Sequence, residues 1–261
     1  MQVLTWNLWG QEGDWRARRE AISRVIADEA PDLCGLQEVW DVPEGNLAHD
    51  LAERLGLRSR WARTDPPKDG VSMGNAVLSR WPILKIQEIE LPTGDLPKRR
   101  VALGARIAAP AGVLAFVTTH LTYQPGGSAV RLDQVRALAA FVAELSAGAA
   151  YPPVVTGDFN AEPDSDELRL LGGMLTAPAV PGLVLLDAWR YAPPGDPGFT
   201  WDRRNGYQQD SVIPGSRIDY IFAGVPRQGH GRIETARLSG VAAVDGIWPS
   251  DHFAVLAELS D

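Results

Sequence analysis

The stretch Pro153-Val154-Val155-Thr156-Gly157-Asp158-Phe159-Asn160 decides the fold, because a short apolar run ends abruptly in an acid and an amide. Residues 153–156 have the length and the β-branched content of a buried strand. A carboxylate or an amide at the end of such a strand costs free energy unless it has a partner or a chemical task. We therefore predict a core strand that places Asp158 and Asn160 at the edge of a sheet.

The same arrangement occurs at five other places along the chain. Each time, a strand-like segment ends in, or is preceded by, an acid, an amide or an imidazole, and the full set is Asn7, Glu38, His120, Asp158 with Asn160, Asp219, and Asp251 with His252. Taken alone, each has an ordinary structural explanation, such as a turn, a helix cap, a satisfied strand-end histidine or a salt bridge between Asp219 and Arg217. Six such positions along one chain, all able to face one rim, predict a single site.

Hydrophobic periodicity predicts an α/β protein. Strand-like segments lie at residues 3–8, 33–39, 75–79, 83–91, 101–108, 113–119, 153–156, 218–222, 231–238 and 253–259. Helical spacing occurs at 14–29, 47–55, 129–145 and 165–171, and the Pro- and Gly-rich residues 187–200 are predicted to be a loop. No repeat or change of composition marks a linker. We expect one catalytic domain, residues 1–261, with two sheets packed face to face and helices outside.

Composition excludes several classes of protein. The chain has 261 residues, 45% hydrophobic and 22% charged, which argues against disorder. It has no apolar run of about 18 residues, so no membrane span is expected. The first residues lack the pattern of a secretory signal, and Cys34 is the single cysteine, so a cytoplasmic location is expected. A net charge of −8 provides no global positive field for tight non-specific nucleic-acid binding, although a local arginine cleft could still bind phosphate.

Taken in order, the polar segments resemble the endonuclease/exonuclease/phosphatase superfamily of deoxyribonuclease I-like metal-dependent phosphohydrolases. The matching strings are Thr5-Trp6-Asn7, Gln37-Glu38, Thr118-Thr119-His120, Gly157-Asp158-Phe159-Asn160, Arg217-Ile218-Asp219-Tyr220-Ile221-Phe222 and Ser250-Asp251-His252. One string alone would be a weak signal, but all six in the family's order across nearly the whole chain are a strong one. The resemblance implies a four-layer α/β/β/α sandwich with two mostly antiparallel sheets, in agreement with the periodicity.

A metal ion is expected from the chemistry of phosphate esters. Their hydrolysis requires neutralised charge on the phosphoryl oxygens, a positioned water and a stabilised leaving group. Hard oxygen ligands favour Mg²⁺ or Mn²⁺, and Glu38 is the acid that we expect to bind the ion. One cysteine and four histidines make a zinc site unexpected. The resemblance adds Asn7, through its amide oxygen, and Asp251 as neighbouring ligands.

The resemblance also implies roles for five further residues. Asp158 would orient or deprotonate the attacking water, and Asn160 would donate a hydrogen bond to the phosphoryl group. His252 would contact a non-bridging phosphate oxygen. Asp219 would bind the other ring nitrogen of His252, which raises the pKa of the imidazole and fixes its tautomer. His120 would be the second imidazole at the phosphate.

The substrate is less defined, because specificity on such a scaffold lies in the loops. Within the candidate loops 63–72, 92–100, 123–128 and 191–217, we predict that Arg99, Arg100 and Arg203 bind phosphate and that Tyr123 stacks on a base or sugar. Alternatively, these arginines are solvated and the aromatic residue covers an edge of the core.

The preferred function is a phosphodiesterase that acts on nucleic acid or a nucleotide-like substrate by in-line attack of water. The alternatives are a phosphomonoesterase, a phosphodiesterase of phospholipids or sugar phosphates, and a non-catalytic binding protein on the same scaffold. No partner protein is implied.

Overall fold

Two β-sheets lie face to face at the centre of the computed structural model, which describes residues 1–96 and 98–261. The first sheet contains β1 (Gln2–Asn7), β2 (Leu33–Val42), β3 (Gly45–Asn46), β4 (Arg58–Arg63), β5 (Ser72–Ser79), β14 (Ile233–Ser239) and β15 (Ala254–Leu259). The second contains β6 (Ile83–Leu91), β7 (Arg100–Ala109), β8 (Gly112–His120), β9 (Val154–Asp158), β10 (Leu185–Asp187) and β13 (Asp219–Gly224). A separate hairpin contains β11 (Trp201–Asp202) and β12 (Gly215–Ser216). Pro97, part of the predicted substrate loop 92–100, lies outside the described residues.

Each sheet combines antiparallel pairing with one parallel pair. The strand orders are β14-β15-β1-β2-β5-β4, with β3 paired to β2, and β10-β13-β9-β8-β7-β6. β1 is parallel to β2, and β8 is parallel to β9, while the other pairings among the described strands are antiparallel. A crossover helix joins the strands of each parallel pair: α1 (Trp15–Glu29) follows β1, and α3 (Ser128–Leu145) follows β8. Each sheet therefore contains one β-α-β unit, and the two units face each other across the layer between the sheets.

Caps and glycine define the helix boundaries. At the start of α1, Asp14 Oδ1 accepts a hydrogen bond from the backbone N–H of Ala17 at 3.1 Å. The helix α2 (Leu47–Leu55) ends at Gly56, whose φ of 67° lies in the left-handed region that glycine adopts without strain. The fourth helix, α4 (Asp166–Gly172), follows β9. None of the helices in the described part of the chain has both the length and the apolar character needed to cross a bilayer.

Three apolar layers separate the sheets and helices. Along β1 the side chains alternate, so Val3 joins the layer between the sheets while Leu4 packs under α1 and α2. On the other side, Val117 of β8 and Leu138 of α3 belong to the layer beneath α3 and α4. Burial of each large apolar side chain contributes about 1.5–3 kcal/mol. The resulting order of helices, sheet, sheet and helices confirms the predicted four-layer sandwich.

Several short elements differ from the sequence-based prediction. β4 was not predicted, because its alternating arginines resemble solvated loop residues; it lies at the edge of its sheet. The predicted loop 187–200 begins with the last residue of β10 and a 3₁₀-helix, Ala188–Tyr191. Asp187 Oδ1 caps that turn by accepting from the N–H of Trp189 at 2.9 Å. Elements this short carry too few residues for a recognisable period.

The two sheets approach each other closely at Gly35. A Cβ atom at this position would lie 2.0 Å from Thr156 Oγ1 on the facing sheet, so no larger residue fits without movement. Beside it, Gln37 Nε2 donates to Thr5 Oγ1 at 3.1 Å and to Thr118 Oγ1 at 2.9 Å. The hydrogen bond to Thr118 crosses between the sheets, and it links them directly beneath the ends of β1, β2 and β8.

Candidate active site

The polar strand ends lie around one cavity of about 910 Å³. β1, β2, β8 and β9 contribute residues from their carboxyl-terminal parts. Because β13 and β15 run antiparallel to β9 and β1, their amino-terminal ends reach the same rim. The predicted catalytic and metal-binding residues that line the cavity are Asn7, Glu38, His120, Asp158, Asn160, Asp251 and His252. The remaining one, Asp219, lies behind His252 and is fully buried.

Asp158 occupies the centre of this arrangement. Its Oδ2 accepts a hydrogen bond from Asn7 Nδ2 at 3.0 Å and lies 3.5 Å from His120 Nε2 and 4.0 Å from His252 Nε2. Its Oδ1 accepts from the backbone N–H of Asn160 at 2.9 Å. Burial and the neighbouring Asp219 carboxylate raise the pKa of Asp158 to about 7, against the opposing influence of His252. A carboxyl group with such a pKa can exchange a proton near neutral pH.

His252 forms a buried pair with Asp219. The ring Nδ1 lies 2.8 Å from Asp219 Oδ2, and Nε2 faces Asp158. Burial alone would lower the pKa of His252, but the combined influence of Asp219, Asp251 and Asp158 raises it well above its ordinary value of 6.5. The imidazole is therefore positively charged at neutral pH, with Nδ1–H donated to Asp219. The Trp201 ring packs against it at a centroid distance of 5.0 Å, with the two ring planes 80° apart.

His120, in contrast, is neutral, although two carboxylates lie close by. Glu38 Oε1 is 3.8 Å from its Nδ1, and Asp158 Oδ2 is 3.5 Å from its Nε2. Burial lowers the pKa of His120 well below 6.5, and the positive charges of Arg100, His252 and Lys98 lower it further. The cavity therefore contains one neutral and one charged imidazole. The sequence alone did not identify an acid beside His120.

Glu38 enters the cavity at an irregularity in β2. The pairing of β2 with β5 shifts register between Leu36 and Val39, and Glu38 has a φ of 52°, in the left-handed region. Such a bulge redirects one side chain of a strand, and backbone strain at a non-glycine residue is typical of functional sites. Asn7 Nδ2 donates to Glu38 Oε1 at 3.3 Å.

Asp251 provides a second carboxylate in the cavity. Gln208 Nε2 donates to its Oδ2 at 3.1 Å, while the adjacent Ser250 Oγ donates to the backbone carbonyl of Asn7 at 2.6 Å. Burial raises the pKa of Asp251 to about 7, and the charge of Glu38 adds to this effect. A divalent cation bound by Asp251 and Glu38 would relieve the repulsion between their carboxylates, so these oxygen donors fit a hard cation.

A second set of donors lies beside the first. One ligand atom each from Asp158, Asp219 and His252 fall within 4.8 Å of one another. Within this set, the short contact of His252 Nδ1 is its hydrogen bond to Asp219. The imidazole–carboxylate pair therefore explains why these donor atoms lie so close together. The amide oxygen of Asn7, predicted as a ligand, accepts from the backbone N–H of Trp9 at 3.0 Å. In this orientation the nitrogen of Asn7 faces the carboxylates and positions them.

The residues predicted to bind substrate separate into two groups. Arg100 and Tyr123 line the cavity, with the guanidinium carbon 5.8 Å from the centre of the ring. Arg100 is only 6% exposed, and among the described residues its guanidinium has no hydrogen-bond or ion-pair partner. Arg99 bonds Glu90 Oε2 at 2.8 Å and Arg203 Nε donates to the backbone carbonyl of Ser211 at 2.6 Å. Neither Arg99 nor Arg203 lines the cavity.

Other residues of the cavity were not singled out from the sequence. Lys98 lies 5.2 Å from the centre of the Tyr123 ring, and the run of basic residues from 98 to 100 was the available signal. Trp9 also lines the cavity and packs on Tyr207 at a centroid distance of 4.4 Å. Asn75 Nδ2 donates to the carbonyl of Val101 at 2.8 Å. No local pattern distinguishes Trp9 from a core residue.

Among curated proteins, the chain is similar to Protein angel homolog 2 of Mus musculus, with 27% identity over 165 residues, 58% of this chain and 30% of that protein. It is similar to Nocturnin of Xenopus laevis, with 25% identity over 191 residues, 63% of this chain and 49% of that protein. The chain therefore spans less than half the length of these relatives.

Solved structures share the fold over the whole chain. The crystal structure of humanized D. rerio TDP2 has a TM-score of 0.76 and 21% identity, and covers 100% of this chain and 99% of its own. The structure of the human Nocturnin catalytic domain with bound sulfate anion has a TM-score of 0.74 and 22% identity. The match covers 100% of this chain and 94% of the Nocturnin chain. At such identities the likeness shows the fold, which agrees with the two sheets and four helices described above.

The sequence itself supplies the assignment. A sequence model described as the Endonuclease/Exonuclease/phosphatase family matches residues 4–252, a range that includes every polar strand end around the cavity. With that match across nearly the whole length, and with the shared four-layer fold, the chain belongs to the endonuclease/exonuclease/phosphatase family.

Proposed function

We propose that the protein is a divalent-metal-dependent phosphodiesterase that hydrolyses nucleic acid or a nucleotide-like substrate by in-line attack of water. The observation that carries this proposal is the convergence of Glu38, Asp158 and the Asp219–His252 pair on one cavity from positions distant in the chain. Membership of the endonuclease/exonuclease/phosphatase family supports the same reaction class. Because both sheets contribute to the cavity, we propose that residues 1–261 act as one catalytic domain.

The charge states in the cavity support a division of labour among its residues. Asp158, with a pKa near 7, would hold the attacking water and accept its proton. The charged His252 would donate Nε2–H to a non-bridging phosphate oxygen. Asn160 and the neutral His120 would add hydrogen bonds as negative charge develops on the phosphoryl group. Arg100, which is buried and has no ion pair among the described residues, would bind a phosphate oxygen.

Glu38 and Asp251 would hold the cation, which we propose is Mg²⁺ or Mn²⁺ because the donors are hard oxygens. When bound, the ion supplies charge neutralisation on the phosphoryl oxygens and on the leaving group. Asn7 would keep the two acidic side chains Glu38 and Asp158 at a fixed separation, through the two bonds from its amide nitrogen.

The lining of the cavity favours a substrate with a planar group next to its phosphate. Tyr123 is half exposed and Trp201 lies against the charged imidazole, so each ring could stack on a base or sugar. Apart from His120 and His252, the basic residues in the cavity lining are Lys98, Arg100 and Arg131, and Arg131 is already paired with Glu167 at 2.9 Å. So few free cations favour a short contact with the substrate over a long duplex. The cytoplasmic location expected from the sequence stays a prediction.

The first experiment is hydrolysis of bis(p-nitrophenyl) phosphate with Mg²⁺ or Mn²⁺, with and without EDTA. We expect EDTA to abolish the activity and Asp158→Asn to lower kcat by about 10²–10⁴-fold. Asp210→Asn serves as a matched control, because Asp210 is exposed. Equal rates for wild type and Asp158→Asn, or an EDTA-resistant rate, would refute the assignment and favour a non-catalytic scaffold.

A substrate panel then separates the remaining alternatives. Nicked and abasic DNA, RNA, nucleotides, sugar phosphates and phospholipid head groups would be compared by kcat/KM under the same metal conditions. We expect the nucleic-acid or nucleotide diesters to be preferred over the corresponding monoesters. A preference for monoesters or for lipid head groups would favour the alternative substrates instead.

A further inference from the structure

Arg18 of α1 is fully buried, and its guanidinium donates its hydrogen bonds to backbone carbonyls. Each of the five N–H groups of a guanidinium can donate one hydrogen bond. The three side-chain nitrogens of Arg18 donate five bonds to backbone carbonyls: Nε to Glu12 at 3.1 Å, Nη1 to Leu8 at 2.8 Å and Pro249 at 3.0 Å, and Nη2 to Trp9 at 3.1 Å and Gly10 at 2.6 Å. Among the described residues no carboxylate lies within ion-pair distance of it.

These carbonyls belong to two segments that support the cation-binding side of the cavity. Residues 8–12 directly follow Asn7, and Pro249 precedes Ser250 and Asp251. Ser250 Oγ joins the same two segments by donating to the carbonyl of Asn7 at 2.6 Å. The guanidinium of Arg18 therefore connects the start of the chain to the segment that carries Asp251.

The electrostatics distinguish Arg18 from an ordinary structural residue. Burial lowers its pKa, against the opposing influence of Tyr207, Asp251, Glu38 and Glu12. A buried cation without a carboxylate partner is costly compared with an apolar side chain of similar size. Departures of this kind from the rules of stable packing are expected at functional sites.

The second β-α-β unit contains a related contact that provides a comparison. Arg131 of α3 donates from Nη1 to the carbonyls of Thr122 at 3.1 Å and Gln124 at 3.3 Å, in the segment after His120. Its Nε, however, pairs with the buried Glu167 at 2.9 Å. Both crossover helices thus hold the loop after the preceding strand, but only Arg18 does so on the side of the Glu38 and Asp251 carboxylates.

We propose that Arg18 is a positioning residue that sets the affinity of the site for a divalent cation, by fixing residues 8–12 and 249–251 relative to each other. The proposal rests on the proposed function only in assigning the cation to Glu38 and Asp251. Outer contacts that hold metal-binding groups in place typically change metal affinity by about 10–100-fold when removed.

The test is direct titration with Mn²⁺, followed by the electron paramagnetic resonance signal of the free ion. We expect Arg18→Met to weaken Mn²⁺ binding about 10–100-fold. Arg18→Lys should lie between it and the wild type, because lysine keeps the charge but has three donors from one atom. The control is Arg131→Met combined with Glu167→Gln, which removes the matched contact without an orphaned acid and should bind Mn²⁺ within about twofold of the wild type.

Each outcome is decisive once circular dichroism has shown which variants fold. Wild-type affinity in folded Arg18→Met, or an equal loss in the control, would overturn the proposal. If neither Arg18 variant folds, even at saturating Mn²⁺, Arg18 stabilises the whole fold rather than the cation site. That result would also overturn the proposal. A wild-type protein that binds Mn²⁺ in an Arg18-dependent way but hydrolyses no phosphodiester would refute the proposed function and leave this proposal standing.

Discussion

Replacing Asp219 by asparagine tests the charge of His252, on which the proposed mechanism depends. The Asp219–His252 hydrogen bond is 2.8 Å long and fully buried, and Asp219 is the strongest of the acidic neighbours that raise the pKa of His252. A buried hydrogen bond to a charged group is worth about 1.5–3 kcal/mol. At about 1.36 kcal/mol per pKa unit, Asp219→Asn should lower the pKa of His252 by roughly one to two units.

The sign of the effect follows from the role of the imidazolium. In the wild type His252 carries its proton well above pH 6.5, so activity that requires Nε2–H should persist through neutral pH and fall only in the alkaline range. In Asp219→Asn that alkaline fall should move to lower pH by the same one to two units, roughly. At alkaline pH the variant should therefore lose far more activity than at pH 5.5.

The assay is the pH dependence of kcat/KM for bis(p-nitrophenyl) phosphate between pH 5 and 9, at saturating metal ion. The titration of the His252 Cε1 proton by NMR measures the pKa directly, and Asp210→Asn again controls for the loss of an exposed carboxylate. An alkaline limb that does not move in Asp219→Asn, or an equal fractional loss at every pH, would refute the assignment of charge to His252.

Three further outcomes are expected. Because the pKa of Asp251 is raised to about 7, protons should compete with the cation, so the Mn²⁺ dissociation constant should rise about tenfold per pH unit below pH 7 and level off above it; a constant value from pH 5.5 to 8 would contradict this. Gly35→Ala places a Cβ 2.0 Å from Thr156 Oγ1 and should lower the free energy of unfolding in urea by about 1–3 kcal/mol, whereas Gly172→Ala, with its nearest neighbour at 3.5 Å, should not. Cys34 is fully buried, and burial raises the pKa of its thiol, so it should react with Ellman's reagent only after unfolding; rapid reaction of the native protein would show that β2 opens.

Much of the fold was predictable because its signals are local. Asp14 and Gly56 are ordinary helix boundaries, and strands such as β1, β8 and β9 carry apolar runs that stop at polar residues. β4 was not predicted because it is an edge strand with exposed charged side chains, here Arg58, Arg60 and Arg63. Its sequence therefore resembles that of a loop. The strands of the β11–β12 hairpin are two residues each, too short for any periodicity.

The candidate site was predictable to the extent that its residues stand at strand ends. Asp158 and His252 belong to strings that mark such ends, and the structure places both in one cavity. Arg18 gave no signal, because on α1 it is one polar residue among several and its partner Pro249 lies 231 residues further along the chain. Arg203 and Lys98 illustrate the same limit for loops, since only tertiary structure decides which basic side chain turns toward the cavity.

The position of β15 between β1 and β14 brings two segments that are far apart in the sequence together at the cavity. Asp251 and His252 immediately precede this strand, while Asn7 ends the strand with which it pairs. Without β15 in place, the cavity would lack Asp251, one of the two carboxylates proposed to bind the cation, and the charged imidazole of His252. Local opening of β15 would therefore remove both groups from the cavity at once.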